Sequence, residues 1–405
     1  MATTFAYKVR DHSGKLVAGT LEADSQSAVV GKLRDMGYAP LLVEEQRASL
    51  GTKEIQLPWK KGVKAKDVAV MSRQFATMIT SGLSLLRALN ILCEQTENPV
   101  LARVMGTVRQ DIEKGQSLSQ ALQRHPKVFT PLYVSMVRAG ETGGVLDTAL
   151  LRLAETLEKE VALRGKIKSA MTYPVVVFVL VIVIVSAMLM FVVPTFKNLY
   201  ADLGGTLPLP TRMLIAVSDS VRKFALIYTA LLGGGTVALR RWIKTEGGRA
   251  KWDAFKLRVP VFGSLFHKTA LSRFARTLSS LARSGVPILQ ALDIVKETVG
   301  NAVVAKAVGA VQSAVKEGSS MAKPLEQYPV FPAMVVQMMA VGEETGALDT
   351  MLEKIADFYD QEIDATVDAL TSLIEPILIV VMGVAVGGMV VALYLPMFNI
   401  INLVK

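Results

Sequence analysis

The most pronounced feature of the chain is a set of apolar runs set among amphipathic stretches. Residues 175–193, VVVFVLVIVIVSAMLMFVV, hold 19 uncharged positions, of which only Ser186 is polar. At 1.5 Å per residue this is about the length that crosses a hydrocarbon core of ~30 Å. The run is rich in β-branched residues but far too long for a buried strand, so a membrane helix is predicted. Residues 376–398, PILIVVMGVAVGGMVVALYLPMF, give a second run of 23 uncharged positions. A weaker one, residues 224–239, has 16, and Asp219, Arg222 and Lys223 interrupt its upstream extension. Charges near a helix end can snorkel to the interface, so they do not forbid a crossing.

Basic residues orient these segments. Arg164, Lys166 and Lys168 precede the first run with no acid among them. Arg240, Arg241, Lys244, Arg249, Lys251, Lys256 and Arg258 follow the weak one. The connector between the first two, around residues 195–212, has only Lys197 and Arg212. The N-terminus is predicted inside, with three crossings and a short tail outside. The polar start MATTFAYKVRDHSGK predicts no cleavable signal peptide.

Self-comparison reveals a repeat. SGLSLLRALNI, from Ser81, matches SGVPILQALDI, from Ser284, at 6 of 11 positions with an offset of 203. GETGGVLDT, from Gly140, matches GEETGALDT, from Gly342, at 6 of 9 positions with an offset of 202. EKGQSL and KEGSSM align through Gly115 and Gly318, and Pro174 and Pro194 correspond to Pro376 and Pro396. The weak run must therefore cross, since otherwise the two related copies would lie on opposite sides of the membrane.

Each copy reads as capped helices. In the first, Val68, Met71, Phe75, Met78 and Ile79 recur at helical spacing. Ser81-Gly82 reads as a stop, Ser84 as a cap, and Asn98-Pro99 as a cap followed by proline at the first helical position. Gly115 reads as a left-handed terminator. The N-terminal segment differs: FAYKVRD and KLVAGTLEA read as strands around a His12-Ser13-Gly14 turn, then comes a helix ending near Gly37 and a third strand, APLLVEE.

The fold class expected is mainly α: an integral membrane protein with three transmembrane helices, two duplicated cytoplasmic helical bundles and a small N-terminal α+β domain. The α+β domain takes residues 1–48 and a linker 49–65. Bundle 1 takes 66–170, the first transmembrane helix 171–195, and an outer loop 196–212. The second transmembrane helix takes 213–239 and a basic cytoplasmic connector 240–269. Bundle 2 takes 270–372, the third transmembrane helix 373–398, and an outer tail 399–405.

Composition narrows the function. Hydrophobic residues make up 51% and charged residues 20% of the 405. The net charge of +10 gathers beside the apolar runs, and no nucleic-acid-binding fingerprint accompanies it, so nucleic acid is not an expected partner. The single cysteine, Cys93, rules out an internal disulfide and fits a reducing cytoplasm. No phosphate-binding G-x-x-x-x-G-K-[ST] loop, HExxH, GxSxG or CxxC occurs, and His12, His125 and His267 are widely spaced. No catalytic residue, cofactor or metal is expected.

The duplicated layout, SRQFATMITSGLSLLRAL, the GETGGVLDT/GEETGALDT pair, SAMTYP before the first run, EP before the third, and LPLPT at residues 207–211 together resemble the type II secretion F family. The resemblance covers nearly the whole chain and is nearest to its type IV pilus branch. It implies a non-enzymatic platform in the bacterial inner membrane, surrounded by lipid and working as a homo-oligomer. Its implied partners are a cytoplasmic hexameric extension or retraction ATPase, pilin subunits and inner-membrane alignment proteins. A secretion pseudopilus platform is the neighbouring alternative, and a small transporter the alternative of another class.

Within that frame, Glu141, Asp147, Glu343 and Asp349 are candidates for contact with a partner or a neighbouring subunit. The same motif reads equally as a helix–turn–helix, with Gly140, Gly144, Gly342 and Gly346 as turn residues and the aspartates favouring helix N-termini. Gly383, Gly387 and Gly388 form a small-residue pattern suited to packing of transmembrane helices. Pro174 and Pro376 mark where long helices enter the membrane, as starts or kinks.

Overall fold

The computed structural model describes residues 3–10, 16–23, 25–45, 62–202 and 207–403. The His12-Ser13-Gly14 turn, most of the 49–65 linker and the end of the 399–405 tail lie outside them. Residues 1–62 and 63–405 form two compact units.

In the first unit, β1 (Thr3–Arg10) pairs antiparallel with both β2 (Leu16–Ala23) and β3 (Ala39–Glu45). Helix α1 (Gln26–Asp35) starts where the Ser25 hydroxyl accepts from the Ala28 N–H. Alternation along β1 puts Phe5 and Val9 on the face that joins Val29 and Leu33 of α1 in a small core. Gly19 lies opposite Tyr7, whose phenolic oxygen would be 2.7 Å from a Cβ there, so glycine makes room for the aromatic.

The second unit is helical. Its first series is α2 (Ala65–Thr80), α3 (Leu85–Gln95), α4 (Pro99–Glu113), α5 (Leu118–Gln123), α6 (Pro131–Gly143) and α7 (Leu146–Ala187). A π-helical turn, Met188–Val192, joins α7 to α8 (Val193–Asp202). Next come α9 (Leu209–Ile243), with a non-helical break at Phe224, and α10 (Glu246–Arg258). The last series is α11 (Phe262–Arg283), α12 (Ile288–Thr298), α13 (Ala302–Lys316), α14 (Ala322–Glu326), α15 (Ala333–Thr345) and α16 (Leu348–Leu403).

The punctuation read from the sequence sits at matching places in both series. Asn98 and Asn301 cap α4 and α13, each side-chain oxygen accepting from two backbone N–H groups. Gly82, Gly115 and Gly144 in one series, and Gly285, Gly318 and Gly346 in the other, take positive φ where a helix ends. Their apolar faces meet in one contiguous core that runs from Val68 and Phe75, through Leu92, Leu122, Tyr133 and Leu153, to Phe274, Leu292, Val336 and Tyr359. The two series are thus one packed body, joined chiefly through α6, α7, α11 and α16.

Among the described residues, two helices are long and apolar enough to cross a membrane: the continuous stretch Leu146–Tyr200 and Leu348–Phe398. Each begins in the packed body and emerges as an apolar rod with side chains facing outward, such as Phe178 and Val183 on one and Ile379 and Val384 on the other. Among the described residues, no apolar protein surface covers those side chains, which is the pattern lipid exposure produces.

Candidate functional site

The duplicated glycine–acid motif forms the same local structure twice, and its glycines divide into two kinds. Gly144 (φ +68°) and Gly346 (φ +71°) adopt the left-handed conformation that ends α6 and α15. Gly140 and Gly342 lie within those helices and are buried, where the following long helix folds back on them. A Cβ on Gly140 would sit 2.5 Å from the Ala149 Cβ, and one on Gly342 would sit 2.9 Å from the Leu348 Cα. These positions need glycine for close helix approach rather than for turning.

Glu141 and Glu343 point back along the body. The Glu141 carboxylate accepts from the Leu118 N–H at 2.5 Å and the Ser119 N–H at 3.0 Å, at the start of α5. Glu343 does the same for its series, accepting from the Met321 N–H at 3.0 and 2.9 Å and from the Ser320 hydroxyl at 2.7 Å. Each carboxylate supplies acceptors to N–H groups that a short helix leaves unpaired. Asp147 and Asp349 lie in the first turns of α7 and α16. Asp147 is exposed, while Asp349 is half-buried beside α11, its carbonyl accepting from the Ser279 hydroxyl at 2.9 Å.

A charged seam joins the proximal halves of the long helices. Lys159 pairs with Asp357 at 3.3 Å and Lys166 with Asp364 at 2.5 Å, linking α7 to α16. Arg276 of α11 bridges Asp357, at 3.2 Å, and Asp360. Burial pushes the Asp357 carboxyl up, but Lys159 and Arg276 together outweigh it and hold the group below the usual range. At the outer side of α7, Arg73 forks onto Glu158, Nε to Oε1 at 2.7 Å and Nη2 to Oε2 at 2.5 Å. That hydrogen bond holds Glu158 below its ordinary value against the opposing effect of burial. Sequence reasoning did not single out this seam. Its signal was present: Lys159 and Lys166, like Asp357 and Asp364, are seven residues apart, the spacing of two helices lying side by side.

At the far ends of the long helices the repeated prolines acquire partners. Pro194 cannot donate a hydrogen bond, and in the π turn the carbonyl five residues back, that of Leu189, is left over. The Ser218 hydroxyl of α9 donates to that carbonyl at 2.5 Å. Pro396 likewise leaves the Ala392 carbonyl, four residues back, without its helical donor. The Thr211 hydroxyl, from the LPLPT element, donates to it at 2.5 Å. Tyr200 adds a bond to the neighbouring Leu393 carbonyl at 2.6 Å. One face of α9 therefore satisfies the backbone of both rods, around a small apolar cluster of Leu189, Val193, Met389 and Leu393.

The remaining singled-out residues are structurally simple. Pro174 is buried and Pro376 exposed, each inside a continuous helix. Gly383, Gly387 and Gly388 are exposed, and a Cβ on any of them would meet nothing within 4 Å. Among the described residues, no three His, Cys, Asp or Glu side chains gather into a metal-binding group.

Comparisons with known proteins identify the family. The model of the type II secretion system (T2SS) protein F family matches twice, at residues 71–194 and 274–396. The model of that protein's N-terminal domain matches residues 1–44. The chain is 48% identical to a type IV pilus assembly protein PilC of Thermus thermophilus, over 98% of both chains. It is 41% identical to one named PilC in Myxococcus xanthus, over 99% of this chain and 96% of that protein. It is 36% identical to a type II secretion system protein F of Pseudomonas aeruginosa, over 99% of both. The chain thus belongs to the type II secretion system protein F family, with the likeness to its PilC members running from end to end.

Proposed function

We propose that this chain is a non-enzymatic inner-membrane platform of a type IV pilus machine. In this reading it couples a cytoplasmic hexameric ATPase to the insertion or removal of pilin subunits. The observation that carries the proposal is the end-to-end likeness, at 48% identity, to a protein named for pilus assembly. The mechanical part is supported by two helices that run without a break from a packed body into apolar rods. A tilt of the body would move such rods as levers, because packed helices transmit displacement rather than absorb it.

The fuller topology belongs to the same proposal. Residues 1–48 form a small α+β domain, two duplicated bundles lie in the cytoplasm, and three spans place the N-terminus inside and the C-terminus outside. The part of α9 beyond Phe224 is the third span, supported by strongly exposed Leu226, Leu231 and Leu232 and by the basic residues that follow. Alignment proteins and other copies of the chain are partners in this reading, with Asp147 and Asp349 beside Glu141 and Glu343 at a contact surface, and Gly383, Gly387 and Gly388 packing on another span. A second reading, the platform of a secretion pseudopilus, is favoured by the full-length likeness to a protein F at 36% identity.

The test is a pulldown of the detergent-solubilised chain against the cognate extension ATPase, with the alignment proteins present. Wild type should bind, and Asp147→Asn/Asp349→Asn should bind more weakly while remaining folded. No binding by wild type would overturn direct coupling. Deletion of the gene separates the two readings: loss of pili supports the first, and loss of secreted hydrolases with pili intact supports the second.

A further inference from the structure

A cleft of about 520 Å³ opens on the packed body just where α7 becomes apolar, between α7 and the start of α11. Its upper wall is Met171, Val175 and Val176 of α7, and its opposite wall is Leu265 and Phe266 of α11. Val175, Val176 and Phe266 are more than one-third exposed, at 54%, 59% and 41%. Its lower end carries three cations, Arg164, Lys168 and Arg273. Among the described residues, the one acid that pairs with any of them is Glu160, 2.6 Å from Arg164 and 3.7 Å from Arg273. Among the described residues, Lys168 has no ion-pair partner. The cleft therefore keeps an excess of positive charge at one end and an apolar surface at the other.

We propose that this cleft binds one anionic phospholipid of the adjoining leaflet. The phosphate is held by Lys168, Arg164 and Arg273, and the acyl chains lie along Val175 and Val176 against Phe266. Three features select this occupant. The cleft has the size of small-ligand sites, roughly 300–1,000 Å³. Lys168 stands seven residues, about 10 Å, before Val175 along the helix axis. With its long side chain reaching toward the interface, its ammonium lies at headgroup depth. A soluble phosphate would use the cations and leave the apolar wall uncovered, whereas a zwitterionic lipid would cover the wall and leave the charge excess unmatched. The other long helix has no such end: before Pro376 it carries Asp364, Asp368 and Glu375 rather than bases, so α16 does not repeat the site. Desolvation lowers the Arg273 pKa, with Glu160 partly restoring it, and a phosphodiester would add a second counter-charge. The inference rests on the reading that α7 enters a bilayer at Val175.

The experiment is native mass spectrometry of the full chain, delipidated in detergent, with phosphatidylglycerol or phosphatidylcholine of the same acyl chains. Phosphatidylglycerol should be retained as a single adduct in preference to phosphatidylcholine, and millimolar free glycerol phosphate should not displace it. Lys168→Gln should weaken retention about fivefold, and Lys168→Gln/Arg273→Gln about thirtyfold, the effect expected for one and two cations at a membrane surface. The charge-matched control Lys114→Gln/Lys127→Gln, at exposed positions away from the cleft, should leave retention unchanged. Lys168 is itself exposed, so its variant folds independently of the outcome at half-buried Arg273. Equal retention of the two lipids, or equal loss in the control, overturns the site. Displacement by glycerol phosphate overturns the lipid and leaves a soluble phosphate site. Extraction of wild type from vesicles at alkaline pH would instead overturn the spanning reading itself.

Discussion

The Thr211 hydroxyl donates at 2.5 Å to the Ala392 carbonyl, the one that Pro396 leaves without a helical donor. Ser218 plays the same part for the Leu189 carbonyl beneath Pro194. In an apolar surrounding an unpaired carbonyl is costly, so these two hydroxyls tie α9 to both rods.

Thr211→Val, which keeps the shape and removes the donor, should destabilise the protein by about 1–3 kcal/mol. In a Pro396→Ala background the helix regains its own N–H, and the same substitution should cost much less. Thermal unfolding of the four proteins in detergent measures the coupling. Additive losses would show that the hydroxyl does not serve the proline-orphaned carbonyl.

Gly140→Ala and Gly342→Ala should each destabilise the protein by roughly 1–3 kcal/mol, because the added methyl has to push apart helices that nearly touch. Gly144→Ala should cost about 1 kcal/mol for a different reason, the left-handed backbone. Chemical or thermal unfolding of the purified chain reads all three. An unchanged midpoint for Gly140→Ala would mean the crossing of α6 and α7 is looser than described.

Glu141→Gln should leave the chain folded but loosen α5. The neutral amide keeps one acceptor oxygen in place of two and loses the charge at that helix start. Faster hydrogen exchange at the Leu118 and Ser119 amides, with the α4 amides unchanged, is the expected readout. Any partner-binding loss in a Glu141 variant has to be judged against this local effect, which is why Asp147 and Asp349 are the cleaner probes of a contact surface.

Acid should loosen the contacts of α7 with α2 and of α16 with α7 and α11. Glu158 and Asp357 have folded pKa values below their ordinary range, so their contribution is present above the ordinary carboxylate pKa of about 4 and is lost as pH falls through the folded value. Stability should be flat with respect to these groups near neutrality and fall below about pH 4. Asp357→Asn should flatten part of that fall in a pH series of unfolding midpoints. An unchanged acid limb would remove Asp357 from the account.

Tyr133→Phe should cost about 1 kcal/mol. Its buried hydroxyl accepts from Ser72 at 3.1 Å, and burial, opposed by the bond to Ser72, pushes its pKa up to about 12. Ser72→Ala/Tyr133→Phe should recover part of the loss, since no hydroxyl is then left unmatched. Unfolding midpoints decide it.

Much of this protein is determined by local sequence. Asn98 and Asn301 cap helices because a short side-chain oxygen reaches the free N–H groups wherever the chain turns. Gly144 and Gly346 end helices because glycine alone adopts positive φ at little cost. The run 175–193 announces an apolar rod by length alone. The tertiary structure decided what such rules cannot reach. Gly140 and Gly342 read as turn residues, yet they are contact points, because the helix that crosses them is brought there by packing. Glu141 and Glu343 read equally as partner contacts or turn residues, and only the fold shows which N–H groups their carboxylates meet. Thr211 and Ser218 carry no signal in isolation: a hydroxyl becomes a backbone donor only when a proline about 180 residues away for Thr211, or about 25 for Ser218, orphans a carbonyl beside it. Caps and apolar length act between near neighbours in the chain, while close approach and hydrogen-bond satisfaction depend on which distant segments the whole core brings together.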